Sequence, residues 1–200
     1  MSELKITDLK QGVRNENRVN VFVNDKYAFS LDVAQVVDLG VKIGRVVSEA
    51  ELLELKKASE LGKIYQRALE WVLIRPRSRK ELRDYLFRKQ TDFADVVVTR
   101  LTERGYVDDR KFAEYYVENR FVKKGISRKR LALELKQKGV SSQLIEEVLE
   151  KSERDDADEI RKMIAKKWGR YDEDKLIQYL CRQGFSYALV SELVRSYEKD

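Results

Sequence analysis

The chain lacks the side chains that enzymes most often use for proton transfer and metal binding. Its 200 residues include no histidine and one cysteine, Cys181. Without histidine there is no Cys–His pair for nucleophilic catalysis, and a single thiol cannot form a cysteine-rich zinc site. Gly62-Lys63 lacks the further glycines and the Ser or Thr of a phosphate-binding loop. We therefore predict a protein that is not an enzyme, needs no cofactor or metal, and acts by binding another macromolecule.

Acidic residues occur in short runs that could be drawn as metal ligands, namely Asp108-Asp109, Asp155-Asp156 and Asp172-Glu173-Asp174. Each run falls where the pattern predicts the start of a helix. Carboxylates at that position cap free backbone N–H groups and complement the helix dipole. We therefore interpret these runs as structural.

Positive charge is clustered, and it offers the clearest binding chemistry in the sequence. The candidate binding residues fall in two groups. They are Arg75, Arg77, Arg79, Lys80, Arg83, Arg88 and Lys89 in the first group, and Arg120, Lys123, Lys124, Arg128, Lys129, Arg130, Lys136 and Lys138 in the second. A charge run is commonly only a solvated surface. Recurrence at equivalent positions of a repeat, described below, favours a surface that faces anions.

The composition indicates which secondary-structure elements carry the basic residues. Charged residues make up 38% of the chain and hydrophobic residues 42%, with one proline and nine glycines. This composition favours helices with charged outer faces around a real core. One cysteine permits no intramolecular disulfide, and we find no apolar leader or run of about 18 apolar residues. We expect a cytoplasmic protein that neither is secreted nor spans a membrane.

The N-terminal stretch has strand character. Two alternating runs flank Asn24-Asp25, which predicts a β-hairpin. A two-residue loop would pair Phe22 with Tyr27, whereas a three-residue loop would pair Val21 with Phe29, and the sequence leaves both open. We also predict a third strand at 4–7 and a short helix at 32–39. A longer helix, capped by Ser48 and Glu51, is predicted to end at a break at Gly62.

An internal repeat begins near Lys63. The run Ser78-Arg79-Lys80 is matched by Ser127-Arg128-Lys129, and Gly139-Val140-Ser141 is matched by Gly184-Phe185-Ser186. Each copy contains three predicted helices in about 45 to 49 residues, a period typical of repeat proteins. We predict a region with the β-hairpin at 1–47, a connecting helix at 48–62, and three-helix repeats at 63–107, 108–152 and 153–200.

The fold class predicted from these patterns is mostly α, with tandem three-helix repeats and a small N-terminal region that contains the β-hairpin. Stacked repeats would form an elongated, curved array with the basic clusters in register along one face. Aromatic residues between the clusters could stack on bases, although core packing is the favoured interpretation for most of them. These aromatic residues are Tyr106, Tyr115, Tyr116 and Phe121.

Four stretches of the first two repeats resemble the RecX family of bacterial recombination regulators. They are residues 75–82 (RPRSRKEL), 105–113 (GYVDDRKFA), 124–131 (KGISRKRL) and 133–140 (LELKQKGV). The third repeat matches more loosely, and the N-terminal region with residues 39–44 (LGVKIG) looks like the extension of longer members. The resemblance implies a protein of DNA repair, homologous recombination and the SOS response.

The resemblance also implies a partner. RecX-like proteins bind the RecA recombinase, lodge in the helical groove of its filament on single-stranded DNA, and usually inhibit ATP hydrolysis and strand exchange. Some members bind DNA directly, so single-stranded and double-stranded DNA are both candidate ligands. The strongest candidate residues lie at equivalent helix starts, Arg77, Arg79 and Lys80 with Arg128, Lys129 and Arg130. We expect a monomer, and the alternative function is a DNA-binding helical regulator that acts without RecA.

Overall fold

The computed structural model describes residues 3–13, 15–123, 125–152 and 155–197, with the backbone alone at 121–123. These residues contain ten helices and four strands, all of the strands N-terminal. The predicted fold class, mostly helical with a small β-containing N-terminal region, is confirmed. The chain forms two compact units, the first of residues 1–71 with 91–97 and the second of residues 72–90 with 98–200.

The elements follow one another in the order below. The strands are β1 (Leu4–Gln11), β2 (Arg18–Val23), β3 (Lys26–Asp32) and β4 (Val46–Val47), and the helices are α1 (Val33–Asp38), α2 (Glu49–Leu73), α3 (Arg79–Phe87), α4 (Ala94–Glu103), α5 (Asp109–Lys123), α6 (Arg128–Gln137), α7 (Ser142–Lys151), α8 (Asp156–Lys167), α9 (Glu173–Arg182) and α10 (Tyr187–Arg195). None of the helices in the described ranges has the length and apolarity needed to cross a bilayer.

The first unit is built on an antiparallel sheet with strand order β3-β2-β1-β4. Asn24 and Asp25 form the two-residue hairpin loop with φ of 48° and 62°, the left-handed conformation that such a loop requires. Both candidate pairings occur in one hairpin, because a β-bulge changes the register between them. Phe22 therefore pairs with Tyr27 next to the loop, and Val21 pairs with Phe29 beyond it. The third strand is also confirmed, as β1.

The sheet buries one face against helices of the same unit. Ile6, Leu31 and Leu55 belong to its apolar core. The buried Ser59 hydroxyl of α2 donates a hydrogen bond to the backbone oxygen of Ser30 in β3, at 2.6 Å. A sheet with a hydrophobic face is stabilised by packing that face against a helix, and this contact supplies the core of the region.

Helix α2 is longer than the sequence suggests. The capping box of Ser48 and Glu51 is confirmed, since each backbone N–H donates to the other residue's side chain. The predicted break at Gly62 is wrong, because α2 continues to Leu73. A Cβ at Gly62 would lie 2.7 Å from Oε1 of Gln35, so this glycine provides close contact between α1 and α2. The helix ends at Leu73, before Pro76, because a proline disfavours the helical conformation of the residue that precedes it.

The second unit contains two further groups of three helices, each around its own core. Helices α5, α6 and α7 enclose Phe112, Leu131 and Leu135, which are all fully buried. Helices α8, α9 and α10 enclose Ile160 and Leu180 in the same way. In both groups the middle helix supplies two leucines four residues apart, which places its opposite face in solvent.

Candidate anion-binding surface

The two Ser-Arg-Lys runs begin equivalent helices. Ser78 caps α3 by accepting from the backbone N–H of Glu81 at 3.0 Å, and Ser127 caps α6 by accepting from that of Arg130 at 3.1 Å. Both serines are fully buried. The helix starts predicted from sequence are confirmed, and the basic residues that follow each serine lie in the first turn of their helix.

Each helix start is also bound to the next group of helices. The backbone N–H of Arg79 donates to the carboxylate of Asp109 at 2.8 Å, and that of Arg128 donates to the carboxylate of Asp156 at 2.9 Å. Asp109 and Asp156 are the first residues of α5 and α8. Asp109 and Asp156 therefore have a structural role, as predicted, but each binds a backbone N–H of the preceding copy and so joins one copy to the next.

The glycine turns complete this contact, which we call the repeat joint. Gly139 and Gly184 have φ of +83° and +94°, and each lies two residues after its helix. A Cβ at Gly139 would lie 2.6 Å from Cβ of Lys80, and one at Gly184 would lie 2.5 Å from Oγ of Ser127. The repeated glycine thus both reverses the chain and lets the preceding copy approach.

Asp108 and Asp172 cap their own helices as predicted, whereas Asp155, the N-cap of α8, makes no side-chain capping hydrogen bond. Asp108 accepts from the backbone N–H of Arg110 at 2.7 Å, and Asp172 accepts from that of Lys175 at 2.8 Å. Within the described residues, no group of three Cys, Asp or Glu side chains is placed to hold a metal ion.

Several predicted binding residues are committed to ion pairs inside the second unit. Glu81 does not complete a capping box with Ser78, and its carboxylate is held by Arg75 at 3.1 Å and Lys138 at 2.9 Å. Arg79 pairs with Asp109 at 2.8 Å. Because Lys138 comes from the following copy, this pair of cations on Glu81 strengthens the repeat joint instead of facing solvent.

A second, partly buried network forms around Glu134 of α6. Its carboxylate accepts from Arg120 Nε at 2.8 Å and from the Tyr116 hydroxyl at 2.7 Å, and Arg130 lies 3.5 Å away. The hydrogen bonds from Arg120 outweigh partial burial and lower the pKa of Glu134 to about 2. Burial and the hydrogen bond to Glu134 raise the pKa of Tyr116 to about 12. This network ties α5 to α6.

Another four of the predicted cations are exposed and make no ion pair with the part of the chain that the structure describes. They are Arg83 and Arg88 from α3 and its C-cap, and Lys129 and Lys136 from α6. Lys80 is also half-exposed, although its ammonium lies 2.9 Å from Asp84. These residues lie on equivalent helices and are exposed cations of the predicted surface that a partner can reach.

The remaining predicted residues occupy intermediate positions. Lys89 lies over the ring of Tyr85, with its Nζ 5.6 Å from the centroid. Partial burial lowers the pKa of Arg77 from its usual range. Arg128 donates to the backbone oxygen of Leu149 at 2.6 Å. Lys124 and the side chain of Lys123 lie outside the described residues.

The aromatic candidates are mostly used in packing. Tyr115 is half-buried, Tyr116 is held by Glu134, and Tyr106 is 44% exposed, while the side chain of Phe121 lies outside the described residues. The sequence interpretation missed Phe87, whose side chain is 82% exposed. Its position immediately after the buried Leu86 puts it off the apolar stripe of α3, and that spacing could have identified it.

An open apolar groove of about 870 Å³ lies beside the exposed cations of α6. Leu133, Ile145 and Phe185 line it, and Lys129 and Lys136 are at the same groove. Leu133 is 56% exposed. A groove of this volume can take an apolar side chain of a partner, with the two lysines available to neighbouring acidic groups.

Comparison with known families supports this description. The model described as regulatory protein RecX N-terminal domain matches residues 4–48, and the model described as RecX, second three-helix domain, matches residues 108–149. Regulatory protein RecX of Bacillus licheniformis is 32% identical over 209 residues, which cover 98% of this chain and 79% of that protein. Regulatory protein RecX of Bacillus subtilis is 31% identical, with coverage of 98% and 78%.

Solved structures show the same fold. The crystal structure of a regulatory protein RecX matches with a TM-score of 0.78 at 20% identity, covering 97% of this chain and all of the other. That of RecX from Lactobacillus salivarius matches with a TM-score of 0.56 at 22% identity, covering 69% of this chain.

The repeat joint predicts different costs for two glycine substitutions. Gly105 and Gly139 both have positive φ two residues after a helix, but no atom lies within 4 Å of a Cβ built at Gly105. Gly105→Ala should therefore cost only the conformational penalty, about 1 kcal/mol. Gly139→Ala should cost roughly 1–3 kcal/mol more, because its methyl group overpacks against Lys80. Urea unfolding followed by circular dichroism measures both, and equal destabilisation would show that the joint is not tightly packed.

The Glu134 network predicts a pH-dependent contribution to stability. A carboxylate whose pKa is lowered on folding stabilises the protein fully above its ordinary pKa of 4.5, and the contribution disappears as the pH falls toward 2. Glu134→Gln should be less stable than wild type at neutral pH, and the gap in unfolding free energy should shrink between about pH 5 and pH 2. Urea titrations at several pH values test this, and a gap that stays constant would contradict it.

Proposed function

Because the chain belongs to the RecX family of regulatory proteins, we propose that it binds the RecA recombinase filament on single-stranded DNA and inhibits its ATPase and strand-exchange activities. In this proposal the protein acts in the cytoplasm as a monomer, and its exposed cations face acidic filament surface or DNA phosphates. The observation that carries the proposal is the recurrence of free cations on α3 and α6, at helices that the repeat joint holds in equivalent settings.

The chemistry of this surface suits a filament that is part protein and part nucleic acid. Exposed arginine and lysine side chains pair with carboxylates or phosphates, and they steer association through long-range attraction. The groove beside α6 adds an apolar contact at Leu133, which a protein partner can use and a phosphate backbone cannot. The combination therefore supports a filament as partner over DNA alone.

The alternative, a sequence-specific DNA regulator that acts without RecA, receives less support. Helices α6 and α7, joined by the turn at Gly139, could imitate a helix-turn-helix, in which the second helix enters the major groove. Helix α7 carries Glu146, Glu147 and Glu150, and its first turn has no basic residue. An acidic recognition helix would be repelled by the phosphates that border the groove.

The proposal predicts that reversing the free cations weakens the action on RecA without unfolding the protein. The test variant combines Arg83→Glu, Arg88→Glu, Lys129→Glu and Lys136→Glu. The measurement is the ATPase rate of the cognate RecA on single-stranded DNA, titrated with each protein. Wild type should inhibit at up to stoichiometric amounts, and the variant should need at least about ten times more, a decrease of about 1.4 kcal/mol in binding free energy.

A matched control carries the same change in net charge elsewhere in the second unit. It combines Lys151→Glu, Lys166→Glu, Arg170→Glu and Arg195→Glu, which are all exposed, and it should inhibit like wild type. Circular dichroism should show unchanged helix content for both variants. An ATPase rate that wild type does not change would contradict the proposed function. Equally weakened inhibition by the two variants would show that net charge, and not the surface on α3 and α6, is responsible.

A further inference from the structure

We propose that the outer face of α3 is a binding site for unpaired nucleotides, with a base stacked on Phe87 and the adjoining phosphates paired with Arg83, Arg88 and Lys80. Arg83 and Arg88 also belong to the surface proposed to face RecA. The inference concerns binding of nucleic acid by this protein alone, so it does not depend on the proposed action on RecA. Its ligand class is single-stranded nucleic acid, whose bases expose the faces that duplex bases bury against one another.

The first observation is the exposure of Phe87. The side chain of Phe87 is 82% exposed, and no other aromatic side chain in the described part of the chain is more exposed. Helix α3 packs through Leu82 and Leu86, which are fully buried, and Tyr85 is half-buried beneath Lys89. Phe87 thus contributes little to the core, while a large apolar ring in water is unfavourable by itself. A ring in this position is free to stack on a base.

The second observation is the arrangement of cations around the ring. Arg83 lies four residues before Phe87, on the same side of the helix, and Lys80 lies a further turn back. Arg88 follows directly as the C-cap. An aromatic platform bordered by cations along one helix matches what non-specific single-strand binding requires, because the cations follow the phosphates while the ring takes a base.

The third observation is that the neighbouring acids do not cancel this charge. Glu81 is held by Arg75 and Lys138 on the inner side of the helix. Asp84 lies 2.9 Å from Lys80, which leaves Arg83 and Arg88 with their charge uncompensated by the described residues. An anion that approaches the outer face of α3 therefore meets net positive charge.

The equivalent helix of the next copy lacks the platform. With Ser78 aligned to Ser127, the position of Phe87 is taken by Lys136 and that of Arg83 by Ala132. Helix α6 presents an exposed apolar side chain, Leu133, but no ring. The stacking function is therefore specific to α3. Tyr187, the first residue of α10, is 63% exposed and provides a matched control for removal of an exposed aromatic side chain.

The experiment measures binding of the protein alone to a fluorescein-labelled, mixed-sequence single strand of about 20 nucleotides, long enough for one site. Fluorescence anisotropy gives the affinity over a range of salt concentrations. Phe87→Ala should weaken single-strand binding by about 5- to 100-fold, the effect typical of removing one stacking side chain. Phe87→Trp should retain it, and Tyr187→Ala, which removes another exposed aromatic side chain, should bind like wild type.

Two further readouts separate stacking from charge. Phe87→Ala should leave the salt dependence unchanged, because the phenyl ring neutralises no phosphate. Arg83→Ala with Arg88→Ala should reduce the slope of log affinity against log salt by about 0.7 for each phosphate that the arginines neutralise in wild type. Binding to a duplex of the same sequence should be unaffected by Phe87→Ala.

Several results would overturn the inference. One is failure of the wild-type protein to bind the single strand, and another is binding by Phe87→Ala that is as tight as that of wild type. An equal decrease in the affinity of Phe87→Ala for single strand and duplex would also contradict it. Because no recombinase is present, each of these results leaves the ATPase test of the proposed function unaffected. Phe87 is exposed, so circular dichroism should show that Phe87→Ala keeps the fold.

Discussion

The contact on which the second unit depends is that between a serine-capped helix start and the glycine turn of the following copy. Ser78 illustrates it, since the same hydroxyl accepts from the backbone of Glu81 and donates to the backbone oxygen of Lys138. A buried hydroxyl with both functions satisfied is stabilising, whereas removing one partner leaves a buried polar group unpaired. This contact positions the basic residues after the serine, because they lie in the first turn of the helix that it anchors.

The joint also changes how the basic clusters are understood. Counted along the sequence they suggest a large positive surface, but Arg75, Arg79, Arg120 and Lys138 are paired with carboxylates of the same unit. Such pairs hold helices together and contribute little to the potential felt by a partner. Among the described residues of the two clusters, the charge available for recognition is thus smaller than the sequence count, and much of it lies on the outward turns of α3 and α6.

Features set by neighbouring residues could be predicted from the sequence, and features set by distant residues could not. The serine caps, the hairpin loop at Asn24-Asp25 and the end of α2 before Pro76 depend on local chemistry. Gly62 lies within α2 at a close contact with Gln35 of another helix, and the partners of Glu81 include Lys138 of another copy. For the same reason the sequence located the candidate surface by residue type but could not separate its free cations from its structural ones.

The third copy differs from the others at the serine position, where it has an aspartate. Where Ser78 and Ser127 are fully buried, α9 begins after Asp172, whose side chain is 56% exposed and pairs with Lys175. A fourth copy docked through the same contact would have to remove this carboxylate from water, at a cost of several kcal/mol. The first turn of α9 therefore presents a solvated carboxylate at the position where α3 and α6 present a buried hydroxyl.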